Sequence, residues 1–234
     1  YMCQESLIQY LYNKVNGFMS DDNSTELISK QDISDFIRYG DMLRENEKQA
    51  DSSDSKTYTS KLSANIKKYA KELDEALENV LVCDPAIGSG AFPVGIMNEI
   101  VRARLSLLEY GYIKDKRARN AYVYKRHAIQ KSIYGTDIDS GAVEIAKLRF
   151  WLSLVVDEES LDDIKPLPNL DYKIMEANSL LKITGSLFNH ALLRELADLK
   201  SNFGDETDPS KKRTLKNKID KILAEFSRGK GFDF

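Results

Sequence analysis

Short runs of apolar, β-prone residues alternate along this chain with longer stretches whose apolar positions recur every three to four residues, the mixed periodicity of an α/β protein. Leu7, Ile8, Leu11, Tyr12 and Val15 predict a helix over 2–19, and Ile33, Phe36, Ile37 and Tyr39 a short helix inside an otherwise polar stretch, 20–60. Within that stretch Glu45 to Thr59 reads as a mobile loop. Leu62, Ile66, Tyr69, Ala70, Leu73 and Leu77 form an amphipathic stripe leading into a first strand over 79–84. Val94, Met97, Ile100, Val101, Leu105 and Leu108 predict a long helix to about Tyr110. A second strand follows at 132–137. Ala142, Val143, Ile145, Ala146, Leu148, Trp151, Leu152 and Val155 then predict a strongly apolar helix from Ser140, with Trp151 expected in the core. A third strand is expected at 172–175, and two helices over 186–228 around a polar break at 204–209.

The chemistry concentrates where the first strand ends. Asp84, Pro85, Ala86, Ile87, Gly88, Ser89 and Gly90 join that strand to the long helix. Glycine at two alternate positions permits backbone angles closed to other residues and lets main chain approach a ligand. The amides that open the next helix lack partners within it and lie at its positive end. A carboxylate or a phosphate is the natural guest. The dinucleotide fingerprint G-x-G-x-x-G fails here, because Pro93 stands where its third glycine belongs and Gly95 comes two places late. The phosphate-loop ending Gly-Lys-Ser/Thr is also missing from the sequence.

Composition narrows the class without changing that picture. The 234 residues are 42% hydrophobic and 30% charged, as expected for a globular chain with a core. No apolar run approaches the roughly 18 residues of a membrane span, and no signal pattern opens the chain. Two cysteines, Cys3 and Cys83, are too few for a disulfide framework, and Cys83 is expected to be a packed thiol in a buried strand. A cytoplasmic protein with no membrane partner is expected. Tyr1 in place of an initiator methionine suggests a piece of a longer polypeptide. The net charge of −3 advertises no overall attraction to nucleic acid, so any such surface must be local. Two basic segments qualify. One runs over 111–131, with Lys114, Arg117, Lys125 and Arg126 among Tyr112, Tyr122 and Tyr124, and reads as a solvated helix and loop before a phosphate grip. The other is the second helix of the last pair, through Lys211, Lys212, Arg213, Lys216, Lys218 and Lys221, and reads as one of a coiled or packing pair of helices before a DNA-backbone contact. His127 and His190 have no ligand spacing around them, so no metal site is assigned.

Asp137 closes the second strand, where an acidic residue of a mononucleotide-binding half takes the ribose hydroxyls. Asp139 is better placed to cap the following helix.

Asp84 to Phe92, read as Asp-Pro-Ala-Ile-Gly-Ser-Gly-Ala-Phe, resembles the S-adenosylmethionine loop of DNA adenine-N6 methyltransferases, usually Asp-Pro-Ala-Cys-Gly-Ser-Gly-x-Phe. Ile87 replaces the common Cys with similar bulk. Gly135 to Leu154 is similar to the second motif of the same family, Gly-x-Asp-Ile-Asp followed by Ala-x-x-x-Ala-x-x-Arg-x-x-Leu, in the correct order. The resemblance covers 61–181 well and the flanks by position. It implies a Rossmann-like α/β sandwich binding S-adenosylmethionine, truncated, with an N-terminal helical segment and mobile polar loop at 1–60 and the cofactor-binding part at 61–234. It implies cofactor contacts from Asp84, Pro85, Ala86, Gly88, Ser89, Gly90 and Phe92, from Asp137 and Ile138, and from Asn178 with Ser179 beside it, Asn178 reading the adenine amino group.

In the family, the Asn-Pro-Pro-Tyr tetrapeptide activates the target adenine N6 and stacks on the flipped base. No Asn-Pro-Pro or Asp-Pro-Pro occurs in this sequence, so no catalytic residue is assigned. The expectation is the cofactor-binding fragment of a site-specific DNA adenine-N6 methyltransferase of the fused restriction and methylation type, inactive alone. Its partners would be double-stranded DNA and the target-recognition and nuclease regions of the same polypeptide. A methyltransferase acting on another substrate, such as protein glutamine, and a non-catalytic Rossmann-like binding module stay open.

Overall fold

The structure, a computed structural model, describes residues 1–17, 26–52, 61–109, 120–156, 170–180, 188–206 and 208–228. The chain divides into two compact units, Tyr1–Ala177 and Asn178–Phe234. The first holds helices α1 (Met2–Asn16), α2 (Lys30–Ser52), α3 (Ala64–Lys68), α4 (Ala70–Glu78), α5 (Ala91–Glu109), α6 (Ala121–His127) and α7 (Ser140–Val155), with strands β1 (Val82–Asp84), β2 (Ile133–Asp137) and β3 (Ile174–Glu176). The three strands form a parallel sheet in the order β1-β2-β3, with Val82 opposite Ile133 and Gly135 opposite Ile174. The family resemblance anticipated such an α/β arrangement, and the observed unit is a helix-rich version of it around a small parallel sheet.

α5 is the wall shared by two cores. Ile96, Ile100, Ala103 and Leu107 recur at helical spacing and pack with Leu7, Leu11, Ile33, Phe36, Ile66, Leu73 and Leu77 of α1 to α4. Met97 and Val101, one position on, face Tyr122, Tyr124, Ile129, Ile133, Val143, Phe150 and Ile174. A helix with two adjacent apolar stripes can bury both, and its position directly after the glycine loop fixes that loop to both cores.

α1 and α2 are tied across the intervening residues by Asn16. Its amide nitrogen donates to the Ile28 carbonyl at 3.0 Å, and its oxygen accepts from the Leu27 and Ile28 amides at 2.9 and 3.2 Å. Arg38 pairs with Glu5, and Arg44 with Glu109 of α5. These anchors accompany a difference from the sequence reading. α2 runs to Ser52, so Glu45–Ser52 are helical where a mobile loop was expected; the remainder of that loop, 53–59, lies outside the described residues. No glycine or proline interrupts 41–52, Leu43 is buried, Gln49 donates to Glu45, and Glu47 accepts from the Leu62 amide at 3.1 Å. Polarity alone therefore misread an exposed helix as a loop.

A buried ion pair joins α4, α5 and α6. The Arg104 Nε donates to Asp74 Oδ1 at 2.8 Å, its Nη2 lies 3.5 Å from Glu78, and its guanidinium stacks 4.4 Å from the Tyr124 ring centroid. Arg104 is 3% and Asp74 5% exposed, so this pair sits inside the protein rather than on its surface. Beside it, burial and then the Arg104 charge push the His127 imidazole below its ordinary value.

Two further expectations are corrected. Cys83 is exposed, because β1 is only three residues long and alternates Val82 inward with Cys83 outward. Trp151 is 37% exposed, because α7 is apolar nearly all round yet buries only Val143, Ala146, Phe150 and Leu154. In the basic segment, Tyr122 and Tyr124 are core residues and so cannot stack on bases; 110–119 lie outside the described residues.

The second unit contains α8 (Phe188–Asp205) and α9 (Pro209–Arg228). Leu196 and Phe203 of α8 and Ile219 and Ile222 of α9 are buried, and Lys212 lies 5.3 Å over the Phe203 ring. Asp208 caps α9, its carboxylate accepting from the Ser210 and Lys211 amides at 2.8 and 3.0 Å. Among the described residues no helix is long and apolar enough to cross a membrane.

Candidate functional site

The loop from Asp84 to Gly90 is built by short-range hydrogen bonds and two glycines. Asp84 accepts from the Ala86 amide at 3.1 Å, turning the chain out of β1. The Gly90 amide donates to the Ile87 carbonyl at 2.9 Å, and the Val94 amide to the Gly90 carbonyl at 3.1 Å, which starts α5. Gly88 and Gly90 have φ of 52° and 82°, the left-handed region that disfavours any Cβ. Space adds a separate reason at Gly90, where a Cβ would come within 3.1 Å of the Ala146 backbone on α7. At Gly88 a Cβ would meet nothing within 4 Å, so this stretch of main chain faces open space.

β2 holds the loop from beside it. The Ile87 amide donates to the Thr136 carbonyl at 2.9 Å, and the Thr136 hydroxyl to the Pro85 carbonyl at 3.3 Å. The Gly88 amide donates to Asp137 Oδ2 at 2.8 Å, while Oδ1 of the same carboxylate accepts from the Asp139 amide at 3.0 Å. Those two amides, Asp139 before Gly88, hold the Asp137 carboxyl below its ordinary range. It is therefore an anion at neutral pH, and the bond to the loop weakens only as pH falls toward the acid range. Asp139 caps α7, accepting from the Gly141 and Ala142 amides at 2.8 and 3.4 Å.

Asp84, Pro85, Ala86, Gly88, Ser89, Gly90 and Asp137 thus meet in one cluster at the carboxyl ends of β1 and β2. Ile138 follows directly and is 74% exposed, a bare apolar side chain beside a polar loop. Phe92 lies elsewhere: it packs half-buried on the core of α1 to α4, and its carbonyl accepts from the Cys3 thiol at 3.7 Å. Asn178 and Ser179 open the second unit, both exposed, with the Asn178 oxygen accepting from the Leu180 amide at 3.0 Å. Just before them, the Ala177 amide donates to the Asp137 carbonyl at 2.8 Å, which brings the end of β3 beside the end of β2.

Thr136, Ala146 and the contact of Ile87 with Gly135 escaped the sequence reading. A Cβ at Gly135 would overlap the Ile87 side chain, so the bare backbone of β2 is what lets Ile87 seat the loop. A glycine inside a strand is itself a sign of close approach, and Gly135 carried that signal. Gly135→Ala is expected to destabilise the protein by about 1–3 kcal/mol through overpacking, and Ile87→Ala in the same chain to recover part of the loss. Urea denaturation of both variants checks this; a Gly135→Ala protein as stable as the parent would contradict it.

The family described as Eco57I restriction-modification methylase matches residues 131–234, a range that includes β2, α7, β3, α8 and α9. A Methanocaldococcus jannaschii protein named as a type II restriction enzyme and methyltransferase is 36% identical over 125 residues, which are 52% of this chain and 10% of that protein. The chain thus spans about a tenth of the length of that curated relative. No solved structure matches the chain.

Proposed function

We propose that this chain, whose residues 131–234 match the restriction-modification methylase family, is the S-adenosylmethionine-binding part of a site-specific DNA adenine-N6 methyltransferase. The observation that carries this reading is the Asp84–Gly90 loop pinned by Asp137, with the open face of Gly88 and the bare Ile138 side chain beside it. The residues present fit the cofactor. The left-handed glycines keep a Cβ away from the space where the amino-acid moiety would lie, and the amides opening α5 suit its carboxylate. Asp137 retains lone pairs for ribose hydroxyls beyond the two amides it holds. Ile138 supplies an apolar surface for the adenine ring.

S-adenosylmethionine supplies an electrophilic methyl on a sulfonium, with its own leaving group. The part of this chain would be binding and orientation: the loop would hold the amino-acid end of the ligand, Asp137 its ribose and Ile138 its ring. The 234 residues contain no Asn-Pro-Pro-Tyr, and the chain alone is expected to bind cofactor without transferring methyl to DNA. The fold proposed for this role is Rossmann-like, with the parallel sheet of the first unit as its centre and α1 and α2 packed in the same unit. Double-stranded DNA, with adenine flipped out of the stack, is the substrate of the complete protein, and target-recognition and nuclease regions are its partners within one polypeptide.

Hydrogen exchange with and without S-adenosylhomocysteine tests the assignment. Protection is expected at the amides of Gly88 to Phe92 and at Ile138 to Asp139. Bound ligand that leaves all of these unprotected would overturn the site.

A further inference from the structure

We infer that α9 of the second unit is a phosphate-backbone contact surface for duplex DNA, formed by Lys211, Lys218 and Lys221 along one side of the helix. The residues 211–221 carry six basic side chains against Asp220 alone, in a chain whose net charge is −3. At 3.6 residues per turn, Lys211, Thr214, Asn217, Lys218 and Lys221 share one flank. All five are exposed, and Asp220 projects from another side. Lys211 and Lys218 are about 10 Å apart along the axis and Lys221 about 5 Å further, within one helical flank. Among the described residues none of these three lysines has a carboxylate partner.

Between Lys211 and Lys221 this flank is cationic and carries no carboxylate, a chemistry suited to a repeating anion and poorly suited to a mixed protein surface. It is also a poor membrane surface: Ile219 and Ile222 are buried, and no large apolar side chain is exposed on the described part of α9. The helix N-terminus is not the binding element, because the Asp208 carboxylate already occupies it. Lysine side chains must therefore provide the contact, as flexible point charges that follow a phosphate backbone without reading bases. Naming DNA as the polyanion rests on the methyltransferase reading; the surface itself rests on α9.

The test is fluorescence anisotropy of the whole 234-residue chain with a labelled duplex of random sequence, titrated between about 50 and 200 mM salt. Lys211→Gln/Lys218→Gln/Lys221→Gln is expected to lower the slope of log K against log salt by about 2 to 3, close to 0.9 for each lost phosphate contact. Lys48→Gln/Lys61→Gln/Lys71→Gln makes the same charge change at exposed positions of the first unit and is expected to leave the slope unaltered. Equal losses in the two triples, an unchanged slope in the α9 triple, or no salt-dependent binding by the parent chain would each overturn the proposal. Restoration of the parent slope by the corresponding triple Lys→Arg variant shows that charge at these positions carries the effect. S-adenosylhomocysteine binding, measured on the same proteins, reads the loop instead: its absence from the parent would remove the methyltransferase reading and leave the α9 comparison standing.

Discussion

Arg104→Ala is expected to lose about 3–5 kcal/mol of stability, because it abandons the Asp74 carboxylate inside the protein without its guanidinium. That loss is comparable to a large share of the whole stability of an ordinary domain. Arg104 also stacks on Tyr124 and reaches Glu78, so one substitution loosens α4, α5 and α6 together. Arg104→Lys should rescue little, since an ammonium can neither pair in a fork nor stack as a planar cation. Replacing both partners by leucine should be far milder than Arg104→Ala, as no buried charge is left alone.

His127 gives the same cluster a pH signature. Its native pKa lies below the unpaired value of 6.5. The unfolded chain therefore binds the extra proton first, and stability falls as pH drops through that value toward the native pKa. His127→Gln should flatten this dependence, and in Arg104→Ala the imidazole should titrate at higher pH. Urea denaturation across pH 5–8, the span in which histidine charges, checks both; a loss below 1 kcal/mol for Arg104→Ala would contradict the account.

The second large effect concerns the loop. Asp137→Ala should weaken S-adenosylhomocysteine binding roughly 10- to 100-fold, the scale of hydrogen bonds to a charged group, while the protein stays folded. Two causes combine: ribose hydroxyls lose their acceptor, and the Gly88 amide loses the carboxylate that holds it at 2.8 Å. Asp137→Asn should lie between, since its side chain offers one acceptor oxygen where the carboxylate offers two. Exchange at the Gly88 amide should quicken in both variants even without ligand, which separates the structural part from the binding part. Unchanged affinity in a folded Asp137→Ala protein would take Asp137 out of the site.

The two-period pattern and the glycine loop made much of this architecture legible. The three strands fall within three residues of their expected places, and α5 and α7 nearly match theirs, because each has strong apolar spacing and a clear start: Gly90 before α5, and Asp139 capping α7. Features set by packing between distant segments were not legible. Whether Cys83 or Trp151 is covered depends on which face of β1 or α7 finds a neighbour, and periodicity cannot say that where a helix is apolar all round. Buried Tyr122 and Tyr124 looked the same in sequence as aromatics waiting for bases. At the site, the residue types of the loop and Asp137 were readable, but the seating of Ile87 on Gly135 was not, since it joins positions 48 apart.

The most direct test of the central claim is calorimetric titration of the chain with S-adenosylmethionine, S-adenosylhomocysteine and NAD in parallel. The account predicts saturable one-to-one binding of the first two and none of NAD, with the S-adenosylhomocysteine signal sharply weakened in Asp137→Ala. Binding of NAD alone would contradict it.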